Sequence, residues 1–171
     1  MNQYVFSYLS PSVTSEISES LSLFFKNRYP VIICVGSDLC IGDSLGPLTG
    51  TRLIKSLKGK VYVYGTLKNT VTAKEINIIS KNVKKIHPSS KVIVIDAAVG
   101  KSEDIGKIKV SDRGIRPGLG VNKFLDEIGD VSIISIVAEK EKSLISSGEI
   151  RLSLIDRISG IIADAVTGFL K

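Results

Sequence analysis

Residues 31–50 read VIICVGSDLCIGDSLGPLTG, and this stretch decides the fold. Its first five residues are an apolar, mostly β-branched run, which is typical of a strand buried on both faces of a parallel sheet. The run stops at Gly36, and a short loop over residues 37–42 leads into a helix. Glycine lets the chain turn sharply at the carboxyl end of the strand, the edge where open α/β sheets bind ligands. Asp43 lies at the entrance of the helix and is the first candidate for chemistry.

The rest of the chain continues to alternate strands with helices. Residues 106–110 alternate charged and apolar side chains, as an edge or antiparallel strand does. The alternation predicts an α/β three-layer sandwich with a mostly parallel, twisted sheet flanked by helices. We predict a single domain over residues 1–171, with residues 1–30 as an N-terminal helical segment packed on it. The predicted helices cover residues 12–28, 45–58, about 72–86 and 151–170, and the other predicted strands cover residues 31–35, 61–64, 91–95 and 131–138.

The composition of the chain argues against several classes of protein. The net charge is +6, but the lysines are dispersed along predicted helices and loops without interleaved aromatic residues for base stacking. We therefore predict solvated basic faces rather than a nucleic-acid groove. The apolar runs are much shorter than the ~20 residues that a membrane helix needs, and the N-terminus lacks a signal-peptide pattern. These features predict no membrane partner and a cytoplasmic location.

The cysteines and the one histidine do not form a zinc motif. Cys34 lies in the first predicted strand, where a buried thiol behaves as a small hydrophobe, and Cys40 lies in the following loop. His87 precedes Pro88 in a polar segment, where we expect it to be exposed. The spacing of these residues predicts two reduced thiols and no metal.

Asp96 repeats the pattern of Asp43, because it also follows an apolar run and precedes small residues. Parallel strands deliver their carboxyl ends to one edge of the sheet, so the two carboxylates are expected to face one cleft. Two close carboxylates do not ionise together easily, and the pair would provide an acid and a base for activating water. The helix N-terminus favours a charged Asp43 and leaves the proton on Asp96. In the alternative interpretation, which spacing alone supports equally, Asp43 only caps a helix and Asp96 only ends a strand.

Two glycine-rich turns are candidates for ligand binding. Residues 36–44 have one residue too many for a P-loop, and an aspartate replaces its lysine, which would repel phosphate. No dinucleotide fingerprint follows the strand, and no G-x-S-x-G elbow is present. Residues 116–123, RPGLGVNK, form either a flexible wall of the cleft, with Asn122 offering an amide to a substrate, or a turn before a short helix.

Four motifs in this order, GSDLCIGDSLGP, VYGTL, VIDAAVG and RPGLGVNK, resemble those of the YyaC family of sporulation proteins over about residues 31–166. That family is similar to the germination protease of bacterial spores and, more distantly, to hydrogenase-maturation endopeptidases. The resemblance implies a hydrogenase-maturation-protease-like sheet between helices. Asp43 then occupies the position of a catalytic aspartate in the germination protease and of a metal-contacting glutamate in the maturation enzymes. Asp96 occupies the second acidic position, in the I-D-A context that both groups share.

The departures from these relatives concern histidine. The maturation enzymes add a histidine as a nickel contact, and this chain has no counterpart, because His87 precedes the strand that carries Asp96. Relatives often carry Pro-Val-His-Ala after Y-G-T-L, where this chain has Thr-Val-Thr-Ala at residues 70–73. We therefore predict no metal and no other cofactor.

The resemblance implies a sporulation-associated peptidase that hydrolyses a peptide bond with Asp43 and Asp96 as catalytic residues. The partner would be a protein or peptide substrate, with small spore proteins as one candidate, in the forespore or mother cell of a sporulating bacterium. A homo-oligomer is left open. The alternative is a non-catalytic peptide- or protein-binding sporulation factor that retains the peptidase fold. The predicted substrate-binding residues are Gly36, Ser37, Gly42, Thr66, Gly118, Gly120 and Asn122.

Overall fold

The apolar run at the start of residues 31–50 forms the buried strand β2, Val31–Cys34. The structure is a computed structural model, and it describes residues 2–25, 29–116, 127–140 and 150–171. The other strands are β1 (Gln3–Ser7), β3 (Val63–Tyr64), β4 (Val92–Gly100), β5 (Lys107–Ser111) and β6 (Val131–Glu139). The helices are α1 (Val13–Phe24), α2 (Leu45–Leu57), α3 (Ile76–Ile86) and α4 (Leu152–Phe169).

The strands form one six-stranded sheet in the order β1-β5-β6-β4-β2-β3. Strands β3, β2, β4 and β6 run parallel to one another, whereas β5 is antiparallel to both β6 and β1. The predicted, mostly parallel sheet is therefore confirmed. Residues 106–110 were expected to form an edge or antiparallel strand, and β5 is antiparallel but lies inside the sheet.

The edge next to β5 is formed by β1, which the sequence pattern did not predict. Its five residues, QYVFS, are mostly exposed and pair with β5 from Gln3–Ser111 to Ser7–Lys107. The N-terminal segment, residues 1–30, therefore contributes a strand as well as helix α1. A short exposed strand is held by pairing with a distant partner, and local periodicity does not report such pairing.

Alternate residues of the central strands face different helices. On β4, Ile93 and Ile95 pack in the core that includes α1, α2 and α4, whereas Val92 and Val94 pack in the core that includes α3. Because helices cover both faces, the strands are continuous apolar runs rather than alternating ones. This arrangement confirms the predicted three-layer α/β sandwich. In the described part of the chain, no helix is both long and apolar enough to cross a bilayer.

Helix α2 lies very close to the sheet because two glycines face it. A Cβ on Gly46 would lie 2.0 Å from the carbonyl oxygen of Val35, and a Cβ on Gly50 would lie 1.9 Å from that of Gly65. Neither distance is possible for a real side chain, so both positions require glycine. The spacing of four residues puts both glycines on one helical face. This close packing fixes the N-terminal end of α2, which follows Asp43.

Candidate active site

Asp43 lies in a 3₁₀ turn, Gly42–Ser44, between β2 and α2. The turn is folded back on the end of β2, because the Ser37 N–H donates to the Asp43 carbonyl at 3.1 Å. Gly36 permits this approach: its φ is +140°, and a Cβ there would lie 2.0 Å from the Asp43 carbonyl oxygen. The main chain of Asp43 is thus held against the carboxyl end of β2.

Asp43 does not cap helix α2. The capping position belongs to Ser44, which makes no side-chain capping hydrogen bond. The Ser44 hydroxyl instead donates to the Ile41 carbonyl at 2.6 Å. The interpretation of Asp43 as a helix cap is therefore wrong, and its carboxylate needs another explanation.

Asp96 lies in the middle of β4 and not at its end, which corrects the expectation from the sequence. Its pairing partner is Ile134 of β6, whereas pairing with β2 stops one residue earlier, at Ile95. Residues before Asp96 in β4 are buried, and those from Asp96 onward are partly buried or exposed. Asp96 therefore marks the point where β2 ends and β4 continues beside β6 alone.

The two carboxylates interact electrostatically, as the prediction of one cleft requires. The pKa of Asp96 is raised to about 7, mainly by burial and to a smaller extent by the negative charge of Asp43. The Ala97 N–H donates to Asp96 Oδ1 at 2.8 Å and opposes the rise by stabilising the charged form. Asp43 thus lies close enough to Asp96 to influence its ionisation.

The pKa of Asp43 is also raised, and burial of its carboxyl group is the main cause. A hydrogen bond from the Ser37 backbone opposes this rise. By surface area Asp43 is an exposed residue, so its carboxyl group keeps more contact with water than that of Asp96. We expected the helix N-terminus to favour a charged Asp43, but partial burial outweighs that effect. Asp96 has the larger rise and is the better proton carrier at neutral pH.

Four predicted substrate-binding residues lie in the described part of the chain. Gly36 and Ser37 already use their amides inside the protein, because the Gly36 N–H donates to the Val71 carbonyl at 2.9 Å and the Ser37 N–H to Asp43. Gly42 is buried, and a Cβ there would lie 2.7 Å from Ile150 Cδ1. Gly36, Ser37 and Gly42 therefore shape the site, and the amides of Gly36 and Ser37 are not available to a substrate.

Thr66 lies at the same edge of the sheet, in the turn after β3. It is buried, its N–H donates to the Asn69 carbonyl at 2.9 Å, and its hydroxyl accepts the Asn69 N–H at 3.1 Å. The structure gives Thr66 a clear role in closing this turn, and its contact with a substrate stays a prediction.

The predictions for Gly118, Gly120 and Asn122 fall outside the described residues. The flanking residues Ile115 and Ile128 exchange two backbone hydrogen bonds, of 2.9 and 2.8 Å. Both side chains pack in the core that includes α3.

The acidic pair has no third metal ligand in the described ranges, because no group of three or more His, Cys, Asp and Glu side chains converges there. His87 was expected to be exposed, but it is half-buried: its Nε2 lies 3.1 Å from the Tyr64 hydroxyl, and its ring lies 4.3 Å from that of Tyr62. This histidine packs against aromatic rings.

Sequence reasoning missed the residues that hold the site together. Gly65 has a φ of +91°, and a Cβ there would lie 1.9 Å from the Cys34 carbonyl oxygen. The Thr51 hydroxyl of α2 accepts the Leu67 N–H at 2.9 Å and ties the same turn to the helix. The spacing of Gly46 and Gly50 was a signal for close packing of α2, but the identity of the partner required coordinates.

Comparison with known proteins assigns the chain to a family. Residues 5–165 match the family described as a protein of unknown function, DUF1256. The uncharacterized protein YyaC of Bacillus subtilis (strain 168) is 30% identical over 173 residues, covering 98% of this chain and 83% of that protein. The crystal structure of a NiFe hydrogenase maturation protease, HycI from Thermococcus kodakarensis KOD1, is similar with a TM-score of 0.49 and 17% identity, covering 86% of this chain and 98% of that one. The chain belongs to the DUF1256 family.

Proposed function

We propose that this protein is a peptidase that uses Asp43 and Asp96 to hydrolyse a peptide bond in a protein substrate. The observation that carries the proposal is the electrostatic coupling of two carboxylates that lie 53 residues apart in the sequence, between Asp43 and Asp96. A pair of this kind holds one proton near neutral pH, and it then contains a general acid and a general base together.

The chemistry follows from the unequal pKa values. With Asp96 protonated and Asp43 charged, Asp43 removes a proton from water as the water oxygen attacks the carbonyl carbon of the substrate. Asp96 donates its proton to the carbonyl oxygen, which gives a neutral tetrahedral intermediate. When the C–N bond breaks, the proton held by Asp43 passes to the leaving nitrogen, and the hydroxyl proton returns to Asp96. No step of this scheme passes through a metal ion.

The proposal is tested with purified wild-type protein, Asp43→Asn and Asp96→Asn. The probes are small acid-soluble spore proteins and a mixture of unstructured peptides, with cleavage followed by mass spectrometry. Loss of a general acid or base lowers the rate by roughly a hundredfold or more. Asp164→Asn is the matched control, because it removes one exposed carboxylate from α4. Equal cleavage by all four proteins would remove Asp43 and Asp96 from catalysis.

A second candidate is a non-catalytic protein that binds a peptide at the same place. One observation favours it: the amides of Gly36 and Ser37, two of the residues predicted to bind substrate, already donate inside the protein. The binding protein predicts retention of the peptide probes without cleavage, and retention that survives Asp96→Asn.

We place the activity in the cytoplasm of a sporulating bacterium. The support is the resemblance of four sequence motifs to those of sporulation proteins. Deletion of the gene in the source organism, followed by comparison of spore protein turnover with that of the parent strain, tests this setting. Unchanged turnover of all spore proteins would refute it.

A further inference from the structure

The main-chain groups of β4 point alternately to its two neighbours. The Val35 N–H donates to the Ile95 carbonyl at 2.8 Å on the side of β2. On the side of β6, the Lys140 N–H donates to the Gly100 carbonyl at 2.9 Å. Strand alternation therefore directs the main-chain groups of odd-numbered residues of β4 toward β2 and those of even-numbered residues toward β6. The pairing of β4 with β6 shifts register between Ala98 and Val99, and Gly100 beyond the shift still faces β6.

Two residues of the odd-numbered series, Ala97 and Val99, lie beyond the end of β2. Pairing with β2 stops at Ile95, so no strand among the described residues lies beside their main-chain groups. The Ala97 N–H is taken by the carboxylate of Asp96. Strand alternation directs the Ala97 carbonyl and both main-chain groups of Val99 to this same side, and Val99 is 43% exposed. This open stretch, Ala97 and Val99, is called the free edge below.

We propose that the free edge binds the substrate as an added β-strand, with the scissile bond delivered to Asp96 and Asp43. This inference rests on the proposed function and assigns its substrate class: a protein segment in extended conformation. An extended peptide offers main-chain N–H and C=O groups at the spacing of a strand, which match the groups of the free edge. The carboxylate of Asp96 lies at the first residue after β2 ends, so a strand bound there passes directly by the acidic pair.

The residues around the site favour a peptide over a second copy of this chain. Leu39 and Ile41, in the loop before Asp43, are 93% and 38% exposed and offer apolar surface to substrate side chains. The free edge contains only two residues that face outward. Such a short edge orients a peptide but gives little main-chain pairing for a stable dimer.

The test uses the full chain and fluorescein-labelled casein, an unstructured protein, as the probe. Val99→Pro removes the edge N–H without removing a hydrogen bond to β6, and Val99→Ala is the matched control that keeps the N–H. We expect Val99→Pro to weaken casein binding, measured by fluorescence anisotropy, roughly two- to tenfold relative to Val99→Ala. In the wild type, casein should slow amide hydrogen exchange over residues 96–100, a readout that does not depend on folding of a variant.

The outcomes separate this inference from the proposed function. Cleavage of casein with equal KM in Val99→Pro and Val99→Ala overturns strand addition and leaves the peptidase intact. Binding that depends on Val99, without cleavage, supports strand addition and overturns the peptidase. Failure of casein to bind, or to slow exchange over residues 96–100, overturns strand addition. If amide exchange over residues 96–100 slows only as the protein concentration rises, a second copy of this chain occupies the free edge. That result also overturns strand addition by a substrate.

Discussion

Replacement of Asp96 by asparagine should stabilise the protein at neutral and alkaline pH. The carboxyl group is buried enough to raise its pKa to about 7, from an ordinary value of 3.8. In the folded protein the charged form is therefore unfavourable, and the unfolded chain does not share this cost. Asparagine has nearly the same shape and its oxygen can accept the Ala97 N–H, so Asp96→Asn removes the charge with little change in packing.

The expected size follows from linkage. Between pH 3.8 and about 7 the folded state holds a proton that the unfolded state has lost, so the stability from Asp96 is complete below about pH 4 and is lost as pH rises through about 7. Each pH unit in this interval is worth about 1.4 kcal/mol, which gives an upper limit of about 4 kcal/mol. Asp96→Asn should therefore exceed the wild type in free energy of unfolding by up to about 4 kcal/mol at pH 8, and by little near pH 4.

Urea denaturation of both proteins from pH 4 to pH 8.5 measures this difference. Taking the difference cancels other titrating groups, such as Glu75 and Asp104, whose lowered pKa values act in the opposite direction. Asp164→Asn controls for removal of a negative charge, and the urea m-values should agree. A difference in stability that is the same at every pH would refute the burial of Asp96 that underlies the proposed chemistry.

Three other predictions test the coupling, the catalysis and the packing. Asp43→Asn should lower the pKa of Asp96 yet leave it above 3.8, because burial is the larger cause; an unchanged ¹³C NMR titration of the Asp96 carboxyl would contradict this. Peptidase kcat/KM should fall as pH rises through about 7, when Asp96 loses its proton, and fall again in acid as Asp43 gains one; a flat profile would contradict the assignment. Gly50→Ala should lower the free energy of unfolding by about 2–3 kcal/mol in urea, because its Cβ would lie 1.9 Å from the Gly65 carbonyl oxygen. Gly160→Ala, on α4 with open space around it, should instead raise it by up to about 1 kcal/mol, and equal effects would refute the close packing of α2.

The central part of the fold was predictable because its signals are local. A continuous apolar run such as residues 31–35 has to be buried on both faces, and that requirement alone specifies a parallel sheet between helices. Strand β1 was not predictable, because QYVFS is mostly exposed and its strand conformation depends on pairing with β5 more than 100 residues away. A strand that is held by such long-range pairing shows no periodic pattern of apolar residues in its own sequence.

The proximity of the two aspartates was predictable, whereas much of the geometry around them was not. Parallel strands bring the segments after β2 and β4 to one edge, so the proximity of Asp43 and Asp96 followed from topology. The position of Asp96 inside β4 did not, since Asp-Ala-Ala is a typical strand end and its pairing with Ile134 depends on the length of β6. The hydrogen bond from the Gly36 N–H to the Val71 carbonyl was not predictable either, because no local sequence pattern connects the two segments.

A single structural difference, the unequal lengths of β2 and β4, accounts for the main properties of the site. If β2 continued in the same register past the position opposite Val99, it would satisfy the main-chain groups of Ala97 and Val99 and enclose Asp96 in the sheet. Because β2 ends and the chain folds back through Gly36, the carboxylate of Asp96 is partly buried yet faces Asp43. The same interruption that leaves Asp96 beside Asp43 thus also leaves Ala97 and Val99 without a partner in β2. A peptidase needs both features together, since the acid acts only on a peptide bond that is held beside it.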